Sequence, residues 1–364
     1  MSDLRRLQDG MTRRGQILLI IGLGLLVVGV TVFLSERRIK EYRSEQFLMD
    51  TLVSIKVYGD DAATLPAAVA AAYGEMHRIA ALVDRFPAAG TEDCRRSDVC
   101  RINEMAGIGP VRVDADTLAM LLLAKKYHDL SDGAFDVTIG PVMDLWDFAG
   151  DHPKVPASQS IVDTLPLVDI ESLVVNAVES SVYLRKVGMK LDLGALAKGY
   201  ATEKALQALV RQGIKKALID AGGNIRVLGS NARNAPWRIG IKDPRKADAL
   251  VAIVALEDAA AVTSGDYYRY FEAGGKRYHH ILDPRSGYPA SENMSMTVLC
   301  PDAGLADLLS TAFFVMKVEE ALPLAERLGV NLVMVNAEGR IFHTSGLAAH
   351  LEVLPGGAYR YDPR

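Results

Sequence analysis

TSGDYYRYFEAGGKRYHHILDPRSGYP, Thr263 to Pro289, carries more information than any other stretch of this chain. It opens on a Thr263-Ser264-Gly265 turn and runs through alternating tyrosines to a loop at Ala273-Gly274-Gly275. It then delivers two adjacent histidines, an Asp-Pro and a second glycine turn. Alternation on both sides of a Gly-Gly loop predicts a β-hairpin. The same residues carry chemistry. Glycine and small hydroxyl residues let backbone N–H groups approach a phosphate. Aromatic faces can hold a planar ring system, and His280 can handle a proton near neutral pH. Taken alone, the stretch fits a plain hairpin better than an active site, so the remainder of the chain has to decide.

The chain has 364 residues, enough for one large or two modest domains, and its 49% hydrophobic content permits a well-packed core. A net charge of −4 leaves no basic footprint, which argues against a nucleic-acid partner. Three cysteines are too few for a disulfide scaffold and lack zinc-site spacing. Cys94 and Cys100 lie close together in a polar segment and could pair in an oxidising compartment. Cys300, inside the apolar run SMTVLC, reads as a small buried hydrophobe.

Ile17 to Leu34 is an eighteen-residue run without a charge. As a helix it reaches roughly 27 Å, close to the hydrocarbon thickness of a bilayer. The run exceeds the core of a typical signal peptide, and the VFLSERR that follows offers no small-x-small cleavage site. The expectation is an uncleaved anchor at 17–34, behind a cytoplasmic tail at 1–16 and ahead of a helical stalk at 35–46. Arg5, Arg6, Arg13 and Arg14 on one side balance Arg37, Arg38, Lys40 and Arg43 on the other, so the positive-inside count ties. A first span with a short tail most simply places the large C-terminal part outside the cytoplasm. The expected location is therefore a single-pass protein of the inner (plasma) membrane with a periplasmic or extracytoplasmic domain.

The globular part, 47–364, reads as one catalytic-size domain with room for two lobes. Helical spacing covers Ala63 to Arg85, Asp114 to Ser131, Ala197 to Gln212, Gly304 to Met316 and Glu319 to Leu328. In the second of these, Leu118, Leu121, Leu122 and Ala124 supply the apolar face. Strands fit LVSIKVYG, KALID, NIRVLG, WRIGIK, VAIVALE, AVTSG, MTVLC, NLVMVN and RIFHT. Helices and strands do not alternate regularly, so an α+β fold is predicted over a doubly wound sheet.

Four further stretches suggest a site. In FDVTIGPVMDLWDF, Asp136 and Thr138 lie two apart and share a face if extended. In LDLGALAKGYA, Leu-Asp-Leu runs through glycine into a helix. The helix start favours anions and Lys198 adds charge, although this is no Walker A loop. In IDAGGNIRVLG, Gly222 and Gly223 permit a tight hairpin or a close approach of backbone to ligand. In DLLST, Asp307 and Thr311 are four apart on one helical face; a carboxylate beside a hydroxyl suits Mg²⁺ rather than a soft metal.

Taken in order, AFDVTIGPVMDLW, LDLGALAKGYATEKA, AGGNIRV, TSGDYYRYF, HHILDPRSGYP and ADLLSTAFFVM resemble the ApbE family, the FAD:protein FMN transferases. The match runs over roughly Phe47 to Thr344. The resemblance implies cleavage of FAD at its pyrophosphate, transfer of FMN through a phosphoester to a Thr or Ser of an acceptor protein, and release of AMP, with Mg²⁺ required. It implies that Ala134, Phe135, Asp136, Asp192 and Lys198 line the FAD site, with Met49 of the Met49-Asp50-Thr51 segment near the flavin nucleotide. Phe86 would stack on the flavin ring, and the turns at Gly222-Gly223 and Thr263-Ser264-Gly265 would complete the cradle. Mg²⁺ would be held by Asp307, Thr311 and the Ala195 carbonyl, with Ser310 a lesser candidate; His280 would serve as base and Asp283 support it. Expected acceptors are membrane redox proteins, such as subunits of sodium-pumping NADH:quinone reductases and Rnf-type complexes. The chain departs from the family pattern at Asp84, where a serine is usual, and in an insertion carrying Cys94. It also has no cysteine at the lipoprotein position that many members use, which supports the transmembrane anchor. With water in place of the acceptor hydroxyl, the same site would be an FAD pyrophosphatase. A flavin-storage protein would need neither metal nor base.

Overall fold

The computed structural model describes residues 39–86, 92–148, 150, 153–354 and 359–362. The expected membrane span and the tail before it lie outside the described residues. Among the described residues no helix is long and apolar enough to cross a membrane.

The strands are β1 (Lys40–Leu48), β2 (Thr51–Gly59), β3 (Val111–Arg112), β4 (Leu173–Asn176), β5 (Ser181–Leu184), β6 (Lys216–Ala221), β7 (Asn224–Leu228), β8 (Trp237–Asp243) and β9 (Lys246–Leu256). They continue with β10 (Ala260–Gly265), β11 (Tyr270–Ala273), β12 (Lys276–His279), β13 (Asn293–Cys300), β14 (Asn331–Asn336), β15 (Arg340–His343), β16 (Leu351–Val353) and β17 (Arg360–Tyr361). The helices are α1 (Leu65–Val83), α2 (Asp98–Glu104), α3 (Ala115–Leu130), α4 (Gly140–Trp146), α5 (Ser158–Thr164), α6 (Ala197–Arg211), α7 (Ala303–Val315) and α8 (Val318–Leu328).

A nine-stranded sheet, ordered β1-β2-β6-β7-β10-β13-β14-β15-β17, forms the centre. Every pairing in it is antiparallel except β15 with β17. Side chains of a strand alternate between faces, and here both faces are covered. Val53, Ile55 and Val57, with Ile219, Val262, Met296, Val298 and Met334, pack against α1, α6 and α7. Tyr58, Ala261, Leu299, Val333 and Val335 meet the small sheet β16-β9-β8 through Trp237, Ile239, Ile241 and Val254. The α+β expectation holds.

Helix α7 is buried on nearly all sides, as its Leu308-Leu309 and Phe313-Phe314 pairs dictate. Phe313 and Phe314 are 0% exposed, so truncating either would cost about 3–5 kcal/mol. The buried Asn293 amide caps the helix by donating to the carbonyls of Phe313, Phe314 and Met316. Helix α6 crosses α7 at Gly199, where a Cβ would stand 2.1 Å from the Ala303 carbonyl oxygen. Only glycine fits there. That crossing fixes where Asp307 and Thr311 sit.

Three readings are corrected. The segment expected as a helical stalk holds β1 from Lys40 onward, paired with all of β2. Its inward Tyr42, Ser44 and Gln46 alternate with outward Glu41, Arg43 and Glu45, a period of two that marks a charged edge strand. Leu122 stands 45% exposed, and α3 buries Met120, Leu121 and Ala124 instead. Asp136 and Thr138 are not extended: the Thr138 N–H and hydroxyl both donate to Asp136 Oδ1, at 2.7 and 2.6 Å, closing a turn.

Candidate active site

The segments that sequence separates converge on one cavity of about 990 Å³. Its floor is the junction of β7, β10, α6 and α7. Its rim is made by the β1–β2 turn, the end of α1, the segment around Phe135, and the chain that follows β12.

At the floor, Asp307 is 4% exposed and its carboxylate Oδ2 accepts the Gly199 N–H at 2.8 Å. In a continued helix that N–H would turn to the carbonyl of Ala195, four residues back; here it is given to Asp307. The anion read at the start of this helix is thus the protein's own carboxylate, favoured by the positive end of α6. Burial nevertheless pushes the Asp307 carboxyl above its ordinary range, against the pull of Lys198, Gly199 and Asn224. Around it the donors are hard. Ser310 Oγ donates to the Asp307 carbonyl (2.9 Å) and meets Ser264 Oγ at 2.8 Å, while Thr311 Oγ1 stands 3.4 Å from Ser264 Oγ. A buried carboxylate seeking countercharge, among hydroxyl and carbonyl oxygens and without a soft donor, fits Mg²⁺. Ala195, Asp307 and Thr311 all line the cavity.

His280 lines the same cavity from the end of the β11–β12 hairpin, whose Gly274-Gly275 turn takes positive φ at both positions as the sequence predicts. Its Nδ1 stands 3.2 Å from the Arg269 carbonyl, so Nδ1 carries the proton and Nε2 keeps its lone pair. Desolvation, then the charges of Lys198, His279 and Arg269, push its pKa well below the usual imidazole value. A neutral imidazole with a free Nε2 can accept a proton.

The rim is built from turns and ion pairs. Met49 and Asp50 occupy the two-residue β1–β2 turn, both left-handed at φ 53° and 58°. A non-glycine residue there costs roughly 1–2 kcal/mol. Asp50 reaches Arg269 at 3.2 Å. Facing this hairpin tip, Gly222 has φ 62°, and a Cβ on it would lie 2.1 Å from Thr51 Oγ1. Arg85 spans Asp192 (2.5 Å) and Asp144 (2.7 Å) and donates to the Gly140 carbonyl. Its guanidinium stands 4.9 Å from the Phe86 ring centroid. Asp192 in turn accepts the Gly194 N–H (2.8 Å), and Asp136, besides its Thr138 bonds, faces His128 Nδ1 at 3.4 Å. The carbonyls of Leu82 and Asp84 are clamped by Ser97 Oγ, and Ser97 lies within the loop closed by the Cys94–Cys100 disulfide.

Of the residues read from sequence, Met49, Phe86, Ala134, Phe135, Asp136, Asp192, Lys198, Gly222, Thr263, Ser264, Gly265 and His280 line this cavity with the three floor residues. Two do not. Gly223 turns to a smaller cavity of about 70 Å³ behind the sheet, because its φ of 95° sends its amide to Asp220. Asp283 is held by Arg285 at 2.9 and 3.0 Å and organises its own turn, while Pro284 lines the cavity instead. Sequence reading missed Arg85, Asp144, Asn224 and Tyr268. A lone arginine ending an alanine-rich helix, and an asparagine directly after Gly-Gly, were the available signals.

The model for the ApbE family matches residues 49–334. The chain is 33% identical over 333 residues to the FAD:protein FMN transferase of Treponema pallidum, covering 87% of this chain and 90% of that one. It is 33% identical over 327 residues to that of Klebsiella pneumoniae, covering 89% and 98%. Among solved structures, the ApbE protein of Thermotoga maritima superposes with a TM-score of 0.77 at 35% identity, over 84% of this chain and 98% of that one. The flavin transferase ApbE of Vibrio cholerae gives 0.74 at 26% identity, over 86% and 99%. Motif order, fold and near-complete coverage agree: this chain belongs to the ApbE family.

Proposed function

We propose that this chain, a transferase, cleaves FAD at its pyrophosphate, joins the FMN half to a Thr or Ser hydroxyl of an acceptor protein, and releases AMP. The observation that carries the reading is one cavity joining a buried, hard-oxygen floor at Asp307 to a rim histidine, His280, whose Nδ1 is given to the Arg269 carbonyl. The relatives' name, FAD:protein FMN transferase, supports FAD as substrate.

In this reading Asp307, Thr311 and the Ala195 carbonyl hold Mg²⁺. When bound, the cation neutralises the pyrophosphate and steadies charge on the leaving AMP. Lys198 adds a second positive charge beside Asp307 and His280. His280 Nε2 takes the proton of the acceptor hydroxyl as its oxygen forms the new bond to the FMN phosphorus. A hydroxyl is a weak nucleophile and needs that base. The bond from this phosphorus to the AMP phosphate oxygen breaks, so the proton and AMP are the products that balance the new phosphoester. Phe86, Met49 and Tyr268 would flank the flavin nucleotide at the rim, with Asp136 and Asp192 positioning its polar edges.

The same reading places the domain outside the cytoplasm behind an anchor at 17–34, facing membrane redox proteins as acceptors. The Cys94–Cys100 disulfide supports an oxidising compartment. The test incubates the full chain with FAD, Mg²⁺ and a candidate acceptor domain. Covalent flavin fluorescence on the denatured acceptor, matched by AMP, is expected. AMP with free FMN and no labelled acceptor would replace transfer by hydrolysis, and intact bound FAD would end the enzymatic reading.

A further inference from the structure

We infer that Asn224 is a metal-site residue: its side-chain oxygen serves the divalent cation at the cavity floor as a neutral oxygen ligand. The inference rests on the reading of that floor as a cation site and extends it by one residue.

Asn224 opens β7 directly after the Gly222-Gly223 turn and is 3% exposed. Its backbone is fixed in the sheet by pairing with Val262 and Ala221. Its side chain lies beside the Asp307 carboxylate, among the neighbours that favour the charged form of that group. Against an ionised carboxylate only the NH₂ end of an amide can serve, since a carboxylate accepts and does not donate; Nδ2 then faces Asp307, and turning the side chain over would set oxygen against oxygen.

The other end is what needs explaining. Asn224 Oδ1 is buried and has no hydrogen-bond partner, yet the residue lines the active-site cavity. A buried carbonyl oxygen without a partner is destabilising in the free protein and rare. An oxygen-seeking cation removes the anomaly. Hard cations accept amide oxygens as readily as hydroxyl and backbone carbonyl oxygens. A neutral ligand also suits this place: a second carboxylate beside Asp307 would repel both it and the incoming pyrophosphate.

The experiment measures Mn²⁺ binding to the full chain by electron paramagnetic resonance, with and without FAD, in the wild type, Asn224→Ala and Asn224→Asp. Loss of the oxygen in Asn224→Ala should weaken Mn²⁺ binding by about 10- to 100-fold. The far-ultraviolet circular dichroism spectrum in chelator should match the wild type, which a misfolded variant would not show. Asn224→Asp keeps an oxygen at the position, so Mn²⁺ should bind it at least as tightly as the wild type. It should also raise the thermal midpoint more than in the wild type, because the cation then screens two facing carboxylates. Equal Mn²⁺ affinity in Asn224→Ala and the wild type overturns the assignment. Equal weakening in both variants also overturns it, leaving Asn224 as a prop for Asp307 through its NH₂ group. Failure of the wild type itself to bind Mn²⁺ is a separate result that removes the cation site altogether.

Discussion

At the floor of the cavity Asp307 and Asn224 are 4% and 3% exposed, while at its rim Phe86 and Tyr268 are 68% and 38% exposed. The floor hangs on α6 and α7, pinned by Gly199 against the Ala303 carbonyl and by core phenylalanines. The rim hangs on a left-handed Met49-Asp50 turn, an exposed Asp50–Arg269 pair and the Arg85 bridge. The two regions answer different demands. The transfer proposed for this site needs charges held in place before the reaction begins, and a packed helix crossing provides that. Recognition of a flat ring and an acceptor segment tolerates adjustment, which turns and surface ion pairs allow, each exposed pair contributing only about 0–1 kcal/mol.

The sharpest way to break this contrast is at Asp307. Asp307→Ala should lower FAD turnover by at least ~10³-fold while weakening FAD binding far less, because the floor acts mainly as charge develops. Parallel losses in binding and turnover, seen by comparing FAD titration with AMP release, would contradict it.

His280 comes second. His280→Ala should leave FAD affinity intact and cut transfer by about 10²- to 10⁴-fold. Since its folded pKa lies below the ordinary value, the base stays neutral as pH falls through about 6.5, where an ordinary histidine would be half protonated. The acidic limb of the transfer rate should therefore lie below pH ~6.5. The sign for stability runs the same way: below that pH the unfolded chain takes up a proton the folded chain refuses, so acidification favours unfolding, and less so in His280→Gln. A rate falling with a midpoint near the ordinary histidine value would place the histidine in open water.

Effects should shrink and change kind toward the rim. Arg85→Ala leaves Asp192 and Asp144 without their shared cation and should cost roughly 2–3 kcal/mol of stability. It should raise the Kd for FAD more than it lowers the rate of AMP release, as calorimetry and stopped-flow would show. The smallest effect belongs to the Cys94–Cys100 loop. Reduction, or a Cys94→Ala/Cys100→Ser double variant, should loosen the Ser97 clamp on Leu82 and Asp84 and weaken FAD binding about fivefold, the equivalent of one hydrogen bond. An unchanged Kd would detach the disulfide from the site.

The same contrast explains what sequence reading could see. The floor was legible because helical spacing puts Asp307 and Thr311 on one face and glycine marks both helix starts and turns. Its inner logic was not: nothing in LDLGALAKG says that the Gly199 N–H is given to a carboxylate 108 residues away. The hairpin that carries His280 announced itself through Gly274-Gly275, whereas the β1–β2 turn, made of Met and Asp, did not resemble a left-handed turn. Strand β1 was hidden because its charges, needed on a sheet edge, read as a solvated stalk. The family resemblance offered Asp283 as a support for His280, whereas in the fold the Asp-Pro turn directs its carboxylate to Arg285.

One side-by-side measurement tests the division of labour most directly: FAD affinity and the single-turnover rate of AMP release, in the wild type, Asp307→Ala and Arg85→Ala, all as the full chain with Mg²⁺. The account predicts crossed losses, the rate collapsing in Asp307→Ala with affinity nearly kept, and affinity falling in Arg85→Ala with the bound-state rate nearly kept. Losses of the same kind in both variants would mean that floor and rim act as one unit, and the separation drawn between them would fail.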